Sequence, residues 1–155
     1  MAKKKKKLGK LVNKRARFDY EILETVEAGI VLNGPEVKSL RLGRGSLVDA
    51  FVQVRSGEAY LVNMTIPKYE FTDVREYEPT RTRKLLLHKK EIFALDQKTD
   101  GQNLTLIPVE IYSKGSNFKV LVGLARGRKQ YSKKDLLKKR DIERDTQREI
   151  KFRNR

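Results

Sequence analysis

Residues 104–125 read LTLIPVEIYSKGSNFKVLVGLA, which is two apolar runs separated by a short polar segment. The runs at 104–112 and 118–125 are rich in Leu, Ile and Val, and this composition predicts β-strands. The segment Lys114-Gly115-Ser116-Asn117 has the composition of a turn. We therefore expect the two strands to pair as an antiparallel hairpin.

Further strand patterns precede this hairpin. Residues 20–32 are rich in Tyr, Ile, Val and Leu and predict a long strand with a bulge or bend at Gly29. The runs 48–54 and 58–66 predict another hairpin, closed at Arg55-Ser56-Gly57. About six strands without a long internal repeat favour a small closed antiparallel barrel of the OB type over a parallel sheet. The predicted fold class is therefore mainly β.

Two segments predict short helices between the strands. Asn33 suits a helix cap and Pro35 a first-turn position, and Arg41 is expected in solvent at the far end of this helix. Its expected apolar positions are Val37, Leu40 and Leu42. A second helix with a basic outer face is predicted over residues 84–95. Its expected core positions are Leu85, Leu86, Ile92, Phe93 and Leu95.

The formal charge of +16 lies at the two ends of the chain. Residues 1–17 carry nine Lys/Arg and no acid, and residues 126–155 carry thirteen Lys/Arg against five acids, whereas 18–125 carry fourteen against fifteen. A near-neutral folded middle with cationic ends is typical of a protein that binds a polyanion. We predict a basic N-terminal arm at 1–12, an RNA-binding barrel at 13–125 and a basic C-terminal tail at 126–155.

Missing residue types and motifs argue against several classes of protein. The chain has no cysteine and one histidine, His88, which leaves no disulfide, thiolate nucleophile or multi-histidine metal site. Phosphate-binding loops, nucleophile elbows and spaced acid pairs are not recognisable, so no catalytic residue, metal or cofactor is expected. No apolar run approaches the roughly 20 residues of a membrane span, and no signal peptide is recognisable. A soluble cytoplasmic protein is therefore expected.

One cationic cluster stands in the otherwise neutral middle. It consists of Arg81 and Arg83 in a polar loop, with Lys84, His88, Lys89 and Lys90 on the outer face of the second predicted helix. A solvated surface and an RNA contact are equally consistent with this pattern. His88 is interpreted as a surface residue.

The C-terminal tail is a second candidate RNA-binding segment. Residues 123–134 contain two glycines among alternating cations, which allows close approach to phosphates, and Tyr131 could stack on a base. A solvated basic tail is the commoner outcome for such a run. Ser132 and Asp135 form a capping-box pattern, but no continuous apolar stripe follows. The tail is therefore expected to be disordered in the free protein and helical only against a partner.

Four stretches, taken together, resemble the SmpB family, the small protein B that binds transfer-messenger RNA. They are Asn13-Lys14-Arg15-Ala16-Arg17-Phe18-Asp19-Tyr20, Gly34-Pro35-Glu36-Val37-Lys38-Ser39-Leu40-Arg41, Pro79-Thr80-Arg81-Thr82-Arg83-Lys84-Leu85-Leu86-Leu87 and Gly123-Leu124-Ala125-Arg126-Gly127-Arg128-Lys129. The resemblance implies an OB-fold barrel that binds the tRNA-like domain of transfer-messenger RNA and accompanies it to stalled ribosomes. It also implies that the tail folds as a helix in the empty decoding region. The protein is expected to be a monomer when free.

The resemblance also implies site residues, carried over by motif. The implied RNA-facing positions are Asn13, Lys14, Arg15, Glu27, Arg41 and Leu86, to which the cationic cluster adds Arg81, Arg83 and Lys84. The implied decoding-centre contacts are Arg126, Gly127, Arg128, Lys129, Tyr131, Lys133 and Lys134. Glu27 suits a hydrogen-bond acceptor for base or 2′-OH edges, and Arg41 suits phosphate or base recognition.

The chain departs from the family pattern at two places. Ser132-Lys133-Lys134 stands where the family usually has an acidic residue, Lys and Arg, which removes the planar fork needed for a bidentate contact. Ser113 stands where many members have a large aromatic residue, which removes a ring near the hairpin of residues 104–125.

Two other functional classes remain open at the level of sequence. A general RNA-binding or ribosome-associated structural protein would use the same basic ends without a dedicated RNA partner. A nuclease or RNA-modifying enzyme would show metal-dependent turnover on RNA. Selective binding of a tRNA-like fold over duplex of equal length separates the function implied by the SmpB resemblance from that of a general RNA-binding protein.

Overall fold

The computed structural model describes residues 10–73, 75–128 and 144. The predicted positions Lys129, Tyr131, Lys133 and Lys134, most of the tail, and residues 1–9 of the basic arm lie outside the described residues. The elements are β1 Lys10–Val12, α1 Lys14–Asp19, β2 Tyr20–Ile30, α2 Gly34–Arg41, β3 Phe51–Arg55, β4 Glu58–Val62, β5 Arg83–Leu86, α3 Lys89–Thr99, β6 Leu104–Lys114 and β7 Asn117–Gly127.

Six of the strands close into an antiparallel barrel. Hydrogen-bonded neighbours follow the order β1-β6-β3-β4-β5-β2-β7, and β7 pairs back with β6 to complete the ring. The short strand β1 adds to β6, where Lys10 faces Tyr112 and Val12 faces Glu110. The prediction of a mainly β closed antiparallel barrel with short helices is confirmed, and the described residues form three helices.

Both predicted hairpins are present. β6 and β7 pair from Leu104 opposite Arg126 to Lys114 opposite Asn117, with a two-residue turn between them. β3 and β4 join at Ser56 and Gly57, which have φ of 50° and 74°. Positive φ at both central residues is what a hairpin turn of the mirror-image type needs. Strand pairing reaches from Lys10 to Gly127, which is beyond both ends of the range 13–125 predicted for the barrel.

The irregularity in β2 is not at the predicted glycine. The pairing of β2 with β7 shifts register between Ile22 and Glu24, while Gly29 stays in register with both of its neighbours. A Cβ at Gly29 would lie 3.2 Å from the Cβ of Leu86. The prediction of a bulge at Gly29 is therefore wrong, because this glycine permits the close approach of the next strand instead.

The helix predicted over 84–95 begins later. Residues 83–86 form strand β5, in which Arg83 and Leu85 are buried and Lys84 and Leu86 are exposed, and α3 starts at Lys89. A short apolar run fits either periodicity, and pairing with β2 and β4 selects the strand. Three expected core positions are also wrong, since Phe93 is 63% exposed, Leu42 is 56% exposed and Leu86 is 55% exposed.

The core lies inside the barrel, and α2 contributes the fully buried Leu40 to it. The helix begins as predicted, with a capping box in which Asn33 and Glu36 exchange hydrogen bonds, and Arg41 at its end is exposed. Leu40 packs into the barrel among fully buried residues from four segments, which are Leu61, Met64, Ile66, Ile111, Val120 and Val122. In the described part of the chain, every helix is too short or too polar to span a membrane.

Candidate RNA-binding surface

A cleft of ≈ 520 Å³ opens on the outside of the barrel, beside β2, β5 and the start of α3. It brings together three residues predicted to contact RNA, namely Glu27, Lys84 and Leu86. Other residues that line it are Gly29, Glu58, His88, Lys89 and Lys119. The cleft therefore combines apolar surface, hydrogen-bond acceptors and cations in one place.

Leu86 forms the apolar part of this cleft. Its side chain is 55% exposed, because the alternation of β5 sends Leu85 into the core and Leu86 outward. Gly29 is paired with it and offers no side chain that would lift it from the sheet. An exposed leucine between charged neighbours is suited to pack against the face of a base or ribose.

Glu27 is held in place from the neighbouring strands. The Tyr112 hydroxyl donates a hydrogen bond to Glu27 Oε2, and Lys114 Nζ lies 3.2 Å from Glu27 Oε1. These two hydrogen bonds lower the pKa of the Glu27 carboxyl. Glu27 is thus an ionised, oriented acceptor with lone pairs left for a ligand.

Glu58, which also lines the cleft, repeats this arrangement. Its carboxylate accepts hydrogen bonds from the Tyr60 hydroxyl at 2.7 Å and from Lys84 Nζ at 3.0 Å. The hydrogen bond from Tyr60, followed by that from Lys84, lowers the pKa of Glu58, and the same ion pair raises the pKa of Lys84. Lys84 is therefore charged and tethered at the cleft wall, where it can meet a phosphate.

Tyr112 should ionise unusually late. Burial, followed by its hydrogen bond to Glu27, raises the pKa of Tyr112 to about 12. A raised folded-state pKa means that its contribution to stability is complete below the ordinary tyrosine pKa of about 10 and is lost as the pH rises toward 12. The substitution Tyr112→Phe should remove one late-ionising group from the absorbance titration of the tyrosines. If all tyrosines of the wild-type protein ionised near pH 10, this hydrogen bond would be contradicted.

The two predicted loop arginines do not form an exposed cluster. Arg83 is fully buried, and its guanidinium pairs with Glu36 Oε2 while Nη1 donates to the Met64 carbonyl oxygen at 2.7 Å. Arg81 Nη2 pairs with Glu36 Oε1 at 2.5 Å and is partly exposed. The prediction of an RNA-facing Arg83 is wrong, since its side chain anchors α2 to β5 inside the protein.

Asn13 is likewise buried. Its Oδ1 accepts from Ala16 N at the start of α1, and its Nδ2 donates to the carbonyl oxygens of Leu47 and Pro108. A direct RNA contact by Asn13 is therefore contradicted, because its polar atoms already hold α1 against the barrel. Lys14 and Arg15, which follow on α1, are exposed as expected.

The remaining predicted positions lie away from the cleft. Arg41 is exposed at the end of α2 and does not line the cleft. Arg126 and Gly127 end β7 in exposed positions, and Arg128 N donates to the Asp19 carbonyl oxygen at 2.8 Å. The predicted decoding-centre contacts within the described range, Arg126, Gly127 and Arg128, therefore lie where β7 ends.

Sequence reasoning missed several residues of this surface. Tyr112 and Lys114 on β6, Lys119 on β7 and Glu58 on β4 all face outward beside Glu27 or line the cleft. Strand alternation gives each of them an outward position. Their assembly depends on strand order, which local patterns do not specify.

Comparison with known proteins places this surface in context. The family model described as SmpB protein matches residues 10–152. An SsrA-binding protein of Streptococcus suis is 50% identical over 90% of each chain, and one of Enterococcus faecalis is 48% identical over 92% of this chain and 94% of its own.

A solved structure is also similar. It is described as "tmRNA-SmpB: a journey to the center of the bacterial ribosome", with 50% identity and a TM-score of 0.66. The match covers 78% of this chain and 85% of that one.

Proposed function

Because the chain belongs to the SmpB family, we propose that it binds the tRNA-like domain of transfer-messenger RNA and delivers this RNA to stalled ribosomes for rescue. The observation that carries the proposal is the cleft in which Glu27, Lys84 and Leu86 meet. An oriented acceptor, an apolar contact and a cation are the groups needed to read an irregular RNA surface.

Each group has a separate role in this proposal. Glu27 accepts hydrogen bonds from base or 2′-OH edges, Leu86 packs on a base or ribose, and Lys84 neutralises a phosphate. Lys14, Arg15 and Arg41 supply further exposed cations, whereas Arg81 is partly exposed and paired with Glu36. Asn13 and Arg83 act from inside the protein by positioning α1 and β5.

The C-terminal tail has a different role in the proposal. Arg126, Gly127 and Arg128 start a segment that enters the empty decoding region, where Lys129, Tyr131, Lys133 and Lys134 contact ribosomal RNA. The protein acts as a monomeric adaptor in the cytoplasm and does not itself catalyse a reaction. Its partners are transfer-messenger RNA and the ribosome, without a cofactor.

Substitution of Glu27 tests the cleft. Glu27→Ala should weaken binding of the tRNA-like domain by about 1–3 kcal/mol, as expected for one specific RNA contact, with little change in melting temperature. Arg41→Ala, at the exposed end of α2, should weaken RNA binding by a similar amount. The matched control is Glu24→Ala, also on β2 and paired with a lysine, Lys98, at 2.7 Å. Equal losses of RNA affinity in the Glu24 and Glu27 variants, or unfolding of the Glu27 variant, would indicate that Glu27 serves only in a structural ion pair.

The basic arm should add affinity without selectivity. Lys3 to Lys7 form a homopolymer run, which can neutralise phosphates but cannot distinguish bases. Replacing these five lysines with alanine should flatten the salt dependence of RNA binding and leave the preference for the tRNA-like domain over equal-length duplex nearly intact. Collapse of that preference would assign selectivity to the arm. A wild-type protein without the preference would instead favour a general RNA-binding protein.

A further inference from the structure

Two aromatic rings stand together on the surface segment 67–73, outside the cleft. The ring centroids of Tyr69 and Phe71 are 5.6 Å apart and their planes are inclined by 66°, which is an edge-to-face arrangement. Phe71 is 78% exposed, more than any other large apolar side chain among the described residues. Its ring contributes little to the core and is open to a ligand.

Hydrogen bonds fix the point where this segment leaves the barrel. The hydroxyl of the buried Ser39 on α2 donates to the Pro67 carbonyl oxygen at 2.6 Å. The Tyr77 hydroxyl donates to the Ile66 carbonyl oxygen at 2.7 Å. The two rings are therefore presented from an anchored backbone, which reduces the ordering cost of binding a ligand.

Exposed cations lie beside the two rings. Lys38 Nζ is 5.4 Å from the centre of the Tyr69 ring, a cation–π distance. Arg41 follows Lys38 by three positions on α2 and therefore lies on the same face of the helix. Among the described residues, neither cation has a carboxylate partner. We call Lys38, Arg41, Tyr69 and Phe71 the aromatic platform.

The local charge of the platform is positive. Lys68, which precedes Tyr69, is a third exposed cation, and Glu70 is the one acid of residues 67–71. A ligand that combines a flat ring with negative charge matches this surface, and a nucleotide is such a ligand. An apolar protein segment would match Phe71 but would leave the cations without partners.

The place of the platform in the fold selects the RNA that it can reach. Strand β2 begins at Tyr20, opposite Gly127 where the tail starts, and ends at Ile30. Its 11 residues span roughly 30 Å. Gly29 of the cleft lies at the far end of β2, and α2 begins at Gly34 just beyond it. The platform is therefore closer along the fold to the cleft than to the start of the tail.

We propose that the aromatic platform binds an unpaired base of the RNA that occupies the cleft, with the base stacked on Phe71 and its phosphate beside Lys38 and Arg41. The inference rests on the proposed function and adds a second contact surface to the cleft. Because every base has a face that can stack, this contact adds affinity for an unpaired nucleotide whatever its base.

A fluorescent reporter tests the stacking directly. The chain contains no tryptophan, so Phe71→Trp introduces a single indole and keeps a ring at this position. Saturation with the tRNA-like domain should quench its fluorescence, because a base stacks on the indole. The matched control is Phe93→Trp on α3, at a position that is 63% exposed and does not line the cleft. Its fluorescence should stay nearly unchanged.

Affinity gives an independent measurement. Phe71→Ala should weaken binding of the tRNA-like domain about 5- to 150-fold, the range for one lost stacked base. Phe71→Leu should show a similar loss, because it keeps an apolar side chain but removes the ring, whereas Phe71→Trp should bind as tightly as the wild type. Phe93→Ala is the control and should keep the wild-type affinity. The exposure of Phe71 predicts unchanged melting temperatures for all its variants.

The outcomes separate the two proposals. Unchanged affinity of Phe71→Ala and unquenched Phe71→Trp, in a protein that still binds the tRNA-like domain selectively, would overturn the platform and leave the proposed function standing. Wild-type affinity of Phe71→Leu would also overturn it, since apolar contact alone would then suffice. Lost tagging by Phe71→Ala at unchanged affinity for this domain would assign the ring to a ribosomal partner instead. A wild-type protein without selectivity for the domain would overturn both proposals.

Discussion

Arg83→Ala is expected to lower the free energy of unfolding by about 3–5 kcal/mol, the range for removing one partner of a buried ion pair. The change leaves the fully buried carboxylate of Glu36 without its closest cation. It also removes the donors to the carbonyl oxygens of Met64, Arg81 and Pro79. Denaturant unfolding of the variant and the wild type measures the difference.

A matched control separates burial from charge. Arg81→Ala removes the other cation beside Glu36, but the Arg81 side chain is partly exposed, so a smaller loss of unfolding free energy is expected.

The same network makes stability depend on pH. Burial raises the pKa of Glu36, but hydrogen bonds from Arg81 and Asn33 and the charge of Arg83 outweigh this effect and lower the pKa. The resulting stability is present above the unfolded-state pKa and is lost as the pH falls through the folded-state pKa. A loss below about 1 kcal/mol for Arg83→Ala would contradict this reading of the network.

A chain ending at Arg128 is expected to keep its fold and its RNA affinity but to fail in tagging on ribosomes stalled without a codon. The last strand ends at Gly127, and Arg128 still donates to the backbone of Asp19, so this truncation removes no contact among the described residues. A chain ending at Ala125 is the matched comparison. It would lose the pairing of β7 with Tyr20, Glu21 and Leu104 and should be less stable.

The side chains of the tail can be tested in the intact protein. Tyr131→Ala combined with Lys133→Ala and Lys134→Ala should approach the defect of the truncated chain through lost stacking and phosphate contacts. Tagging on a stop-less message and binding of the tRNA-like domain are the two measurements. Normal tagging by the chain ending at Arg128 would contradict the decoding role, and lost RNA binding would place the tail in the primary RNA site.

Local signals were sufficient for much of the fold. Ser56 and Gly57 specify a tight turn by their backbone conformations, and Asn33 with Glu36 specifies the start of α2. Both signals act between residues close in sequence, so a single sequence contains all that is needed to predict them.

Part of the site could not be predicted, because its side chains bind partners that are distant in the sequence. The sequence around Arg83 resembles an exposed basic loop, and only the approach of Glu36 from α2 explains its burial. Asn13 is similar, since it binds the carbonyl oxygens of Leu47 and Pro108. The family resemblance selected Glu27 and Leu86, but their meeting across β2 and β5 depends on barrel closure.

The pairing of β2 with β7 has a consequence for the folding rate. The β6–β7 and β3–β4 hairpins join neighbouring segments and can form early, whereas Tyr20 must find Gly127 across nearly the whole described chain. Contacts of large sequence separation slow folding, because loop-closure entropy is lost before the contacts form. We expect the ring to close last, in the millisecond-to-second range typical of barrels with non-local pairing. The cleft beside β2 would then exist only after this slowest step, so newly made protein becomes competent to bind RNA late in folding.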